Sequence, residues 1–264
     1  MSELLFDHTG SDGSIATVTF NRPEARNALT WNMYAALEEA CDIVDRDDTI
    51  KVLILQGASD KAFVSGTDIS QFTSFKEDSD AIEYEHKLEG IISRLESVKK
   101  PVIAAIQGVA VGAGAALALV SDLRYCTPES RIGFPIARTL GNCLSVAIHS
   151  RIIDAIGPAR TKELMFRARL VGAQEALQLG LVNEIFEADQ LDHQVRQIAE
   201  EISQNAPLTL QVTKEAIRRL QHYRRAVGED ILGEDLVVRA YMSEDFREGV
   251  AAFLAKRPPH FRGR

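Results

Sequence analysis

Lys100-Pro101-Val102-Ile103-Ala104-Ala105-Ile106-Gln107-Gly108, continuing through Val109-Ala110-Val111 to Gly112-Ala113-Gly114, contains five successive apolar residues with no polar face. That is the pattern of a strand buried on both sides, as in a largely parallel sheet. Glycines follow, and then a small-residue segment that reads as a helix. Upstream, Leu88, Ile91, Ile92, Leu95 and Val98 recur at helical spacing, and Pro101 ends that helix. Farther out, Val52-Leu53-Ile54-Leu55 is a second buried strand. Ile15-Ala16-Thr17-Val18-Thr19-Phe20 is a third, stopped by Asn21-Arg22-Pro23. Between them Thr30 caps a helix with Tyr34, Leu37, Cys41 and Val44 on one stripe. Alternating strands and helices predict an α/β fold. From about Asp189 strands vanish. Leu191, Val195, Ile198 and Ile202 mark one amphipathic helix, Val212, Ala216, Ile217 and Leu220 another, and Ser243 opens a last one through Leu254. The expected organisation is an α/β core over 1–188 and a helical region over 189–264, packed on the core or on a partner subunit.

A chain of 264 residues, 45% hydrophobic and 26% charged, has a globular composition and can bury a large core. Its net charge of −8 argues against a general nucleic-acid or anionic-membrane binder. The sign reverses in a basic tail, Lys256, Arg257, Arg262 and Arg264, which suits a small polyanion as well as a solvated terminus. Cys41, Cys126 and Cys143 are too scattered for a disulfide framework. The first residues lack a signal-peptide layout, and no apolar run reaches the roughly 20 residues of a membrane span. A reducing, cytoplasmic setting is expected.

No GxSxG, HExxH or GxxxxGK[ST] motif occurs, and the six histidines do not cluster. Gly112-Ala113-Gly114-Ala115-Ala116-Leu117 fails as a dinucleotide fingerprint, because Leu117 takes the third glycine's place and the glycines lie too far beyond the strand. Ser65-Gly66-Thr67-Asp68 and Gly108 to Gly114 share one logic. Glycine lets another molecule approach the backbone, and a helix start leaves N–H donors unpaired, so two such segments can form an oxyanion hole. Taken singly, each reads more readily as a device for tight packing.

Together with their neighbours these segments resemble the crotonase (enoyl-CoA hydratase/isomerase) family. Lys61-Ala62-Phe63-Val64-Ser65-Gly66-Thr67-Asp68-Ile69 is similar to its KAF-x-(A/S)-G-A-D-(I/L) motif, and Lys100 to Gly114 to its KPVIAA-x-x-G…GGG motif. Asn21-Arg22-Pro23 with Asn27-Ala28-Leu29, Gly180 to Ile185, and the tail Phe253 to Arg264 match in order and spacing. The resemblance implies a spiral of ββα units with a helical C-terminal trimerisation region, assembled as a homotrimer or dimer of trimers. It implies an acyl-CoA substrate of the kind met in fatty-acid metabolism, and no permanently bound cofactor or metal. Oxyanion donors would be the backbone N–H groups of Thr67 and Ala113. CoA would run past Ala25, Arg26 and Ala28, with adenine near Ser65, Gly66, Asp68 and Ile69 and a phosphate near Lys256. Asp68 reads mainly as a helix cap.

The departures concern the acid/base groups. Hydratases of the family carry two glutamates, whose places in the substrate pocket are taken here by Ala116 and by Ile136, after Pro135. Neither side chain can move a proton. Other members, such as the chlorobenzoyl-CoA dehalogenases, use a helix-borne base that falls by spacing near Glu89, on the face shared with Glu85 and close to His86. Arg138, Asn142, Cys143 and His149 are further candidates. An enolate-forming lyase or isomerase, a crotonase with a different base, and a silent thioester binder all remain open on the sequence.

Overall fold

The computed structural model describes residues 2–9, 13–225 and 233–264. In chain order the elements are β1 (Leu4–Thr9), β2 (Ile15–Phe20), α1 (Trp31–Arg46), β3 (Val52–Gly57), β4 (Ala62–Val64), α2 (Asp78–Glu96), β5 (Val102–Ile106), β6 (Val109–Val111), α3 (Ala113–Val120), β7 (Leu123–Cys126) and β8 (Arg131–Gly133). There follow α4 (Ile136–Thr139), α5 (Val146–Phe166), β9 (Leu170–Gly172), α6 (Ala173–Leu179), β10 (Glu184–Ile185), α7 (Leu191–Ser203), α8 (Pro207–Arg225), α9 (Glu234–Tyr241) and α10 (Glu244–Leu254). A 3-10 turn, Ile69–Ser74, precedes α2.

Six strands pair in the order β1-β2-β3-β5-β7-β10, and four short ones in the order β4-β6-β8-β9. Successive strands alternate between the sheets: β3 then β4, β5 then β6, β7 then β8. Each ββ pair therefore gives one strand to each sheet before the chain leaves in a helix. The expected strands stand at β2, β3 and β5, all largely buried. Thr30 caps α1 by accepting from the Met33 N–H at 3.2 Å. The helix before Pro101 stops at Glu96, so Val98 is buried beyond its end rather than on its stripe.

Most apolar side chains fill one core between the two sheets and helices α1, α2 and α3. A second, smaller core covers the opposite face of the large sheet, where Leu191, Val195 and Ala199 of α7 close over Ile15, Val52, Ile54, Ile103, Ala105 and Tyr125. The α7 stripe thus finds its partner within the chain, and Ile198 and Ile202 pack at its margin. On α8, by contrast, Leu208, Val212, Ile217 and Leu220 are 52–74% exposed.

Within α3, Gly114 presses on β4: a methyl group there would overlap the carbonyl of Val64. Overpacking of this kind costs typically about 1–3 kcal/mol. Gly114→Ala is expected to lower stability by about that amount, read as a lower urea midpoint at unchanged slope. An unchanged midpoint would show that the contact is slack.

Candidate active site

Two backbone turns stand side by side, one after each of the paired strands β4 and β6. In the first, Gly66 takes φ 112°, a conformation that disfavours any side chain. The Leu29 N–H donates to the Gly66 carbonyl at 2.8 Å, and the Asp68 N–H donates to the Leu29 carbonyl at 2.9 Å. The N–H between them, that of Thr67, has no backbone acceptor among the described residues. In the second turn Gly112 adopts φ 56° and ψ −120° and precedes α3. Its own N–H reaches the Gly133 carbonyl at 3.1 Å, while the Ala113 N–H, the first of the helix, likewise has no backbone acceptor. A Cβ on Gly112 would lie 3.7 Å from the Gly66 Cα, so the turns are in contact. Two unclaimed donors on touching turns, one at the positive end of a helix, suit a developing negative charge on oxygen.

Both turns line a cavity of about 760 Å³. Ala25, Arg26, Ala28, Ser65, Gly66, Asp68, Ile69, Pro135, Ile136 and Lys256 share its wall with Thr67 and Ala113, although they come from five separate parts of the chain. Ala116, expected in the pocket, is instead buried within α3 and does not line it. Asn27 is fully buried and fastens the loop that carries Ala25, Arg26 and Ala28: its amide donates to the Ala62 and Phe63 carbonyls at 2.8 and 3.2 Å. Asp68 caps the 3-10 turn by accepting from Ser70 and pairs with Arg22 at 3.0 Å. Burial opposes ionisation of its carboxyl, but the Ser70 and Arg22 hydrogen bonds outweigh it and hold the group below the usual range. Arg26 and Lys256 are exposed at the mouth.

The Thr67 hydroxyl points the other way, into a buried cluster with the Tyr34 hydroxyl at 2.7 Å and the Tyr84 hydroxyl at 2.9 Å. One residue on, Glu85 is only 5% exposed and also lines the cavity. Its Oε1 accepts from the Tyr241 hydroxyl at 2.6 Å, and that hydroxyl accepts from the Asn142 amide at 3.1 Å. Glu85 Oε2 is buried with no hydrogen-bond partner among the described residues, and the nearby Ser145 N–H favours the charged form. Burial, reinforced by the charge of Glu89 and only partly offset by Tyr241 and Ser145, pushes the Glu85 carboxyl up to about 7.

Glu89, one helical turn away, is not on the cavity wall. It is bound by Arg151 through two hydrogen bonds of 2.7 and 2.8 Å and by the Ser93 hydroxyl at 2.7 Å. Of the other sequence candidates, Asn142 and Cys143 reach the cavity. His86 pairs with Glu234 at 3.1 Å, and His149 lies against the Ser145 carbonyl at 3.0 Å; Arg138 is exposed outside the wall. Tyr241 was not among the sequence candidates, and no local pattern marks it. Glu85 did leave a signal, an acid within the apolar stripe of Ala81, Tyr84, Leu88 and Ile92. No cluster of His, Cys, Asp or Glu able to hold a metal occurs among the described residues, and no described helix is long and apolar enough to cross a membrane.

Comparison with known proteins places these features in context. The family model described as enoyl-CoA hydratase/isomerase matches residues 10–264. The chain is 32% identical over 255 residues to the short-chain-enoyl-CoA hydratase of Clostridium acetobutylicum, covering 93% of each chain. It is 31% identical to the 2,3-dehydroadipyl-CoA hydratase of Escherichia coli over the full length of both. Among solved structures, a methylmalonyl-CoA decarboxylase in complex with 2-nitronate-propionyl-CoA superposes with a TM-score of 0.90 at 28% identity, covering 100% of this chain and 99% of the other. The α/β architecture with its helical C-terminal region is therefore the crotonase fold.

A folded-state midpoint near 7, against an ordinary carboxyl value of 4.5, means that the native protein favours protonated Glu85. Its contribution is present below about pH 4.5 and is lost as pH rises through 7, by about 3 kcal/mol in all. Urea unfolding at pH 5 and pH 8 should show this loss in the native protein and a smaller one in Glu85→Gln, which is then the more stable of the two at pH 8. Parallel pH dependences in both would contradict the assignment.

Proposed function

We propose that this chain, which belongs to the enoyl-CoA hydratase/isomerase family, is an acyl-CoA enzyme that holds a thioester carbonyl between the Thr67 and Ala113 N–H groups and works through an enolate. The observation that carries the proposal is the pair of unclaimed backbone donors on touching turns at one cavity. A thioester oxygen gains negative charge when its α-carbon loses a proton, and donors fixed in advance stabilise that charge without reorganising. CoA enters along Ala25, Arg26 and Ala28, with its adenine against Ser65 to Ile69 and its phosphates near Arg26 and Lys256. The exposed cations at the mouth of an otherwise acidic protein support this orientation.

The same reading makes the protein a poor hydratase of the usual kind. Ala116 and Ile136 occupy the places of the family's two glutamates, and both are apolar and nearly fully buried. Positioned acid/base groups contribute typically about 10²–10⁴ in rate, so their loss leaves polarisation intact while water addition falters. A conjugated acyl-CoA should shift its absorbance on binding, while crotonyl-CoA hydration stays well below the roughly 1–10³ s⁻¹ typical of enzymes. Hydration at ordinary enzymatic rates overturns this part of the proposal, and absence of the absorbance shift overturns the thioester reading itself.

The proposed assembly is a trimer or a dimer of trimers. Its support is the exposed stripe of α8, since apolar surface of that extent on a soluble chain ordinarily meets a partner. Light scattering should give a mass three or six times the 29.1 kDa of the chain. Ile217→Glu with Leu220→Glu should reduce it, and a monomeric mass for the unaltered protein would exclude this assembly.

A further inference from the structure

We propose that Glu85, on α2, is the residue that moves the proton in this site, its Oε2 exchanging hydrogen with the carbon next to the thioester carbonyl. The inference rests on the thioester reading of the cavity and adds to it the acid/base group that Ala116 and Ile136 cannot supply. A carboxyl 5% exposed on the apolar stripe of a helix is costly, and among the described residues Glu85 has no cation paired with it to offset the cost; Arg151 is spent on Glu89 and Glu96. It is also held in place. Tyr241 on α9 fixes Oε1, Asn142 fixes Tyr241, and the remaining oxygen of this cavity-lining residue is buried without a partner among the described residues.

The other titratable groups of the wall are excluded one by one. Glu24 is exposed, Asp68 is held by Ser70 and Arg22, and Arg26 and Lys256 are cations at the mouth. The Tyr84 hydroxyl is engaged with Thr67 and raised well above its usual range by burial, and the Tyr241 hydroxyl is engaged with Glu85. Burial pushes the Cys143 thiol up to about 12. Among the described residues of the wall, Glu85 alone combines an unpartnered oxygen with a midpoint near neutrality.

The step balances with no co-reactant. Carboxylate Oε2 takes the α-proton, the C–H electron pair becomes the enolate double bond, and the negative charge passes to the thioester oxygen between the Thr67 and Ala113 N–H groups. The resulting Glu85 acid exchanges its proton with solvent and delivers the solvent-derived one to the same carbon. In a β,γ-unsaturated acyl group it can instead deliver the proton to the γ-carbon, with a net shift of the double bond. Only the carboxylate begins the cycle, so exchange should rise with pH through about 7 and then level. Burial, the Tyr241 hydroxyl, Glu89 in its pair with Arg151 and the Ser145 N–H set this midpoint; Tyr34, Tyr84 and Cys143, raised by burial and thus neutral, also face Glu85. On the side away from the cavity are His86, paired with Glu234, and His149.

The test is deuterium uptake at the α-carbon of butyryl-CoA in D₂O, followed by mass spectrometry across pH 5–9. The unaltered protein should catalyse exchange with an inflection near 7. Glu85→Gln should lose at least about 10² of it while still shifting the absorbance of a bound conjugated acyl-CoA. Tyr241→Phe, which removes a donor that favours the carboxylate, should move the inflection up. Glu89→Gln, which removes a neighbouring negative charge, should retain exchange and move the inflection down. Exchange undiminished in Glu85→Gln, or lost in Glu89→Gln instead, overturns the assignment. So does a native protein that polarises the thioester without exchange, an outcome that leaves the thioester reading standing; absence of polarisation removes that reading and this one with it.

Discussion

The site depends on the pairing of two three-residue strands. β4 and β6 run parallel, Ala62 beside Val109 and Val64 beside Ala110, and each leads directly into one of the turns that bear an unclaimed N–H. Their register sets how far apart those turns stand. Gly114 fixes the third dimension by letting α3 seat its first turn against Val64. Asn27 fixes a fourth strip of chain, because its amide bridges the loop after β2 to the carbonyls of Ala62 and Phe63. Remove the short pairing, and the donors, the loop of Ala25, Arg26 and Ala28 and the start of α3 lose their common reference. Few residues carry this arrangement, and most of them act through main-chain atoms.

The parts of the fold legible in the sequence are those in which one physical signal runs long enough to count. β2, β3 and β5 are continuous or alternating apolar runs, and α1 shows its stripe and its cap. The strands β4, β6 and β8 are three residues each, too short for a period to emerge, so the second sheet is visible only through the motifs that flank it. The α7 stripe was plain, but a stripe states only that a partner exists. That the partner is the back of the chain's own sheet depends on residues far upstream, from Ile15 to Tyr125.

The two acids of α2 show the same limit at the site. Glu85 and Glu89 lie one turn apart on a shared face, and local sequence treats them alike. Arg151, 62 residues on, takes Glu89; Tyr241, 156 residues on, takes Glu85. A guanidinium supplies a countercharge, whereas a phenol brings only a hydrogen bond that partly offsets the burial raising the carboxyl's affinity for a proton. Two identical side chains thereby acquire different chemistry from their surroundings alone. The expectation of backbone donors at Thr67 and Ala113 comes instead from the family resemblance, because the glycine-bearing segments by themselves also read as packing devices.

Thr67, on the cavity wall, has two parts in separate settings: its N–H lacks a backbone acceptor among the described residues, and its hydroxyl is shared by Tyr34 and Tyr84. Any mutational scan that includes this position will report on the wrong one. Replacing threonine by valine keeps the amide and the shape, yet strands two phenols in the interior, each left short of a partner at a cost of about 1–3 kcal/mol. A fall in activity there would measure a loosened scaffold and would be mistaken for a lost catalytic side chain. The converse error is a tolerant result at Ala113, where most of the contribution comes from an atom that every residue except proline possesses.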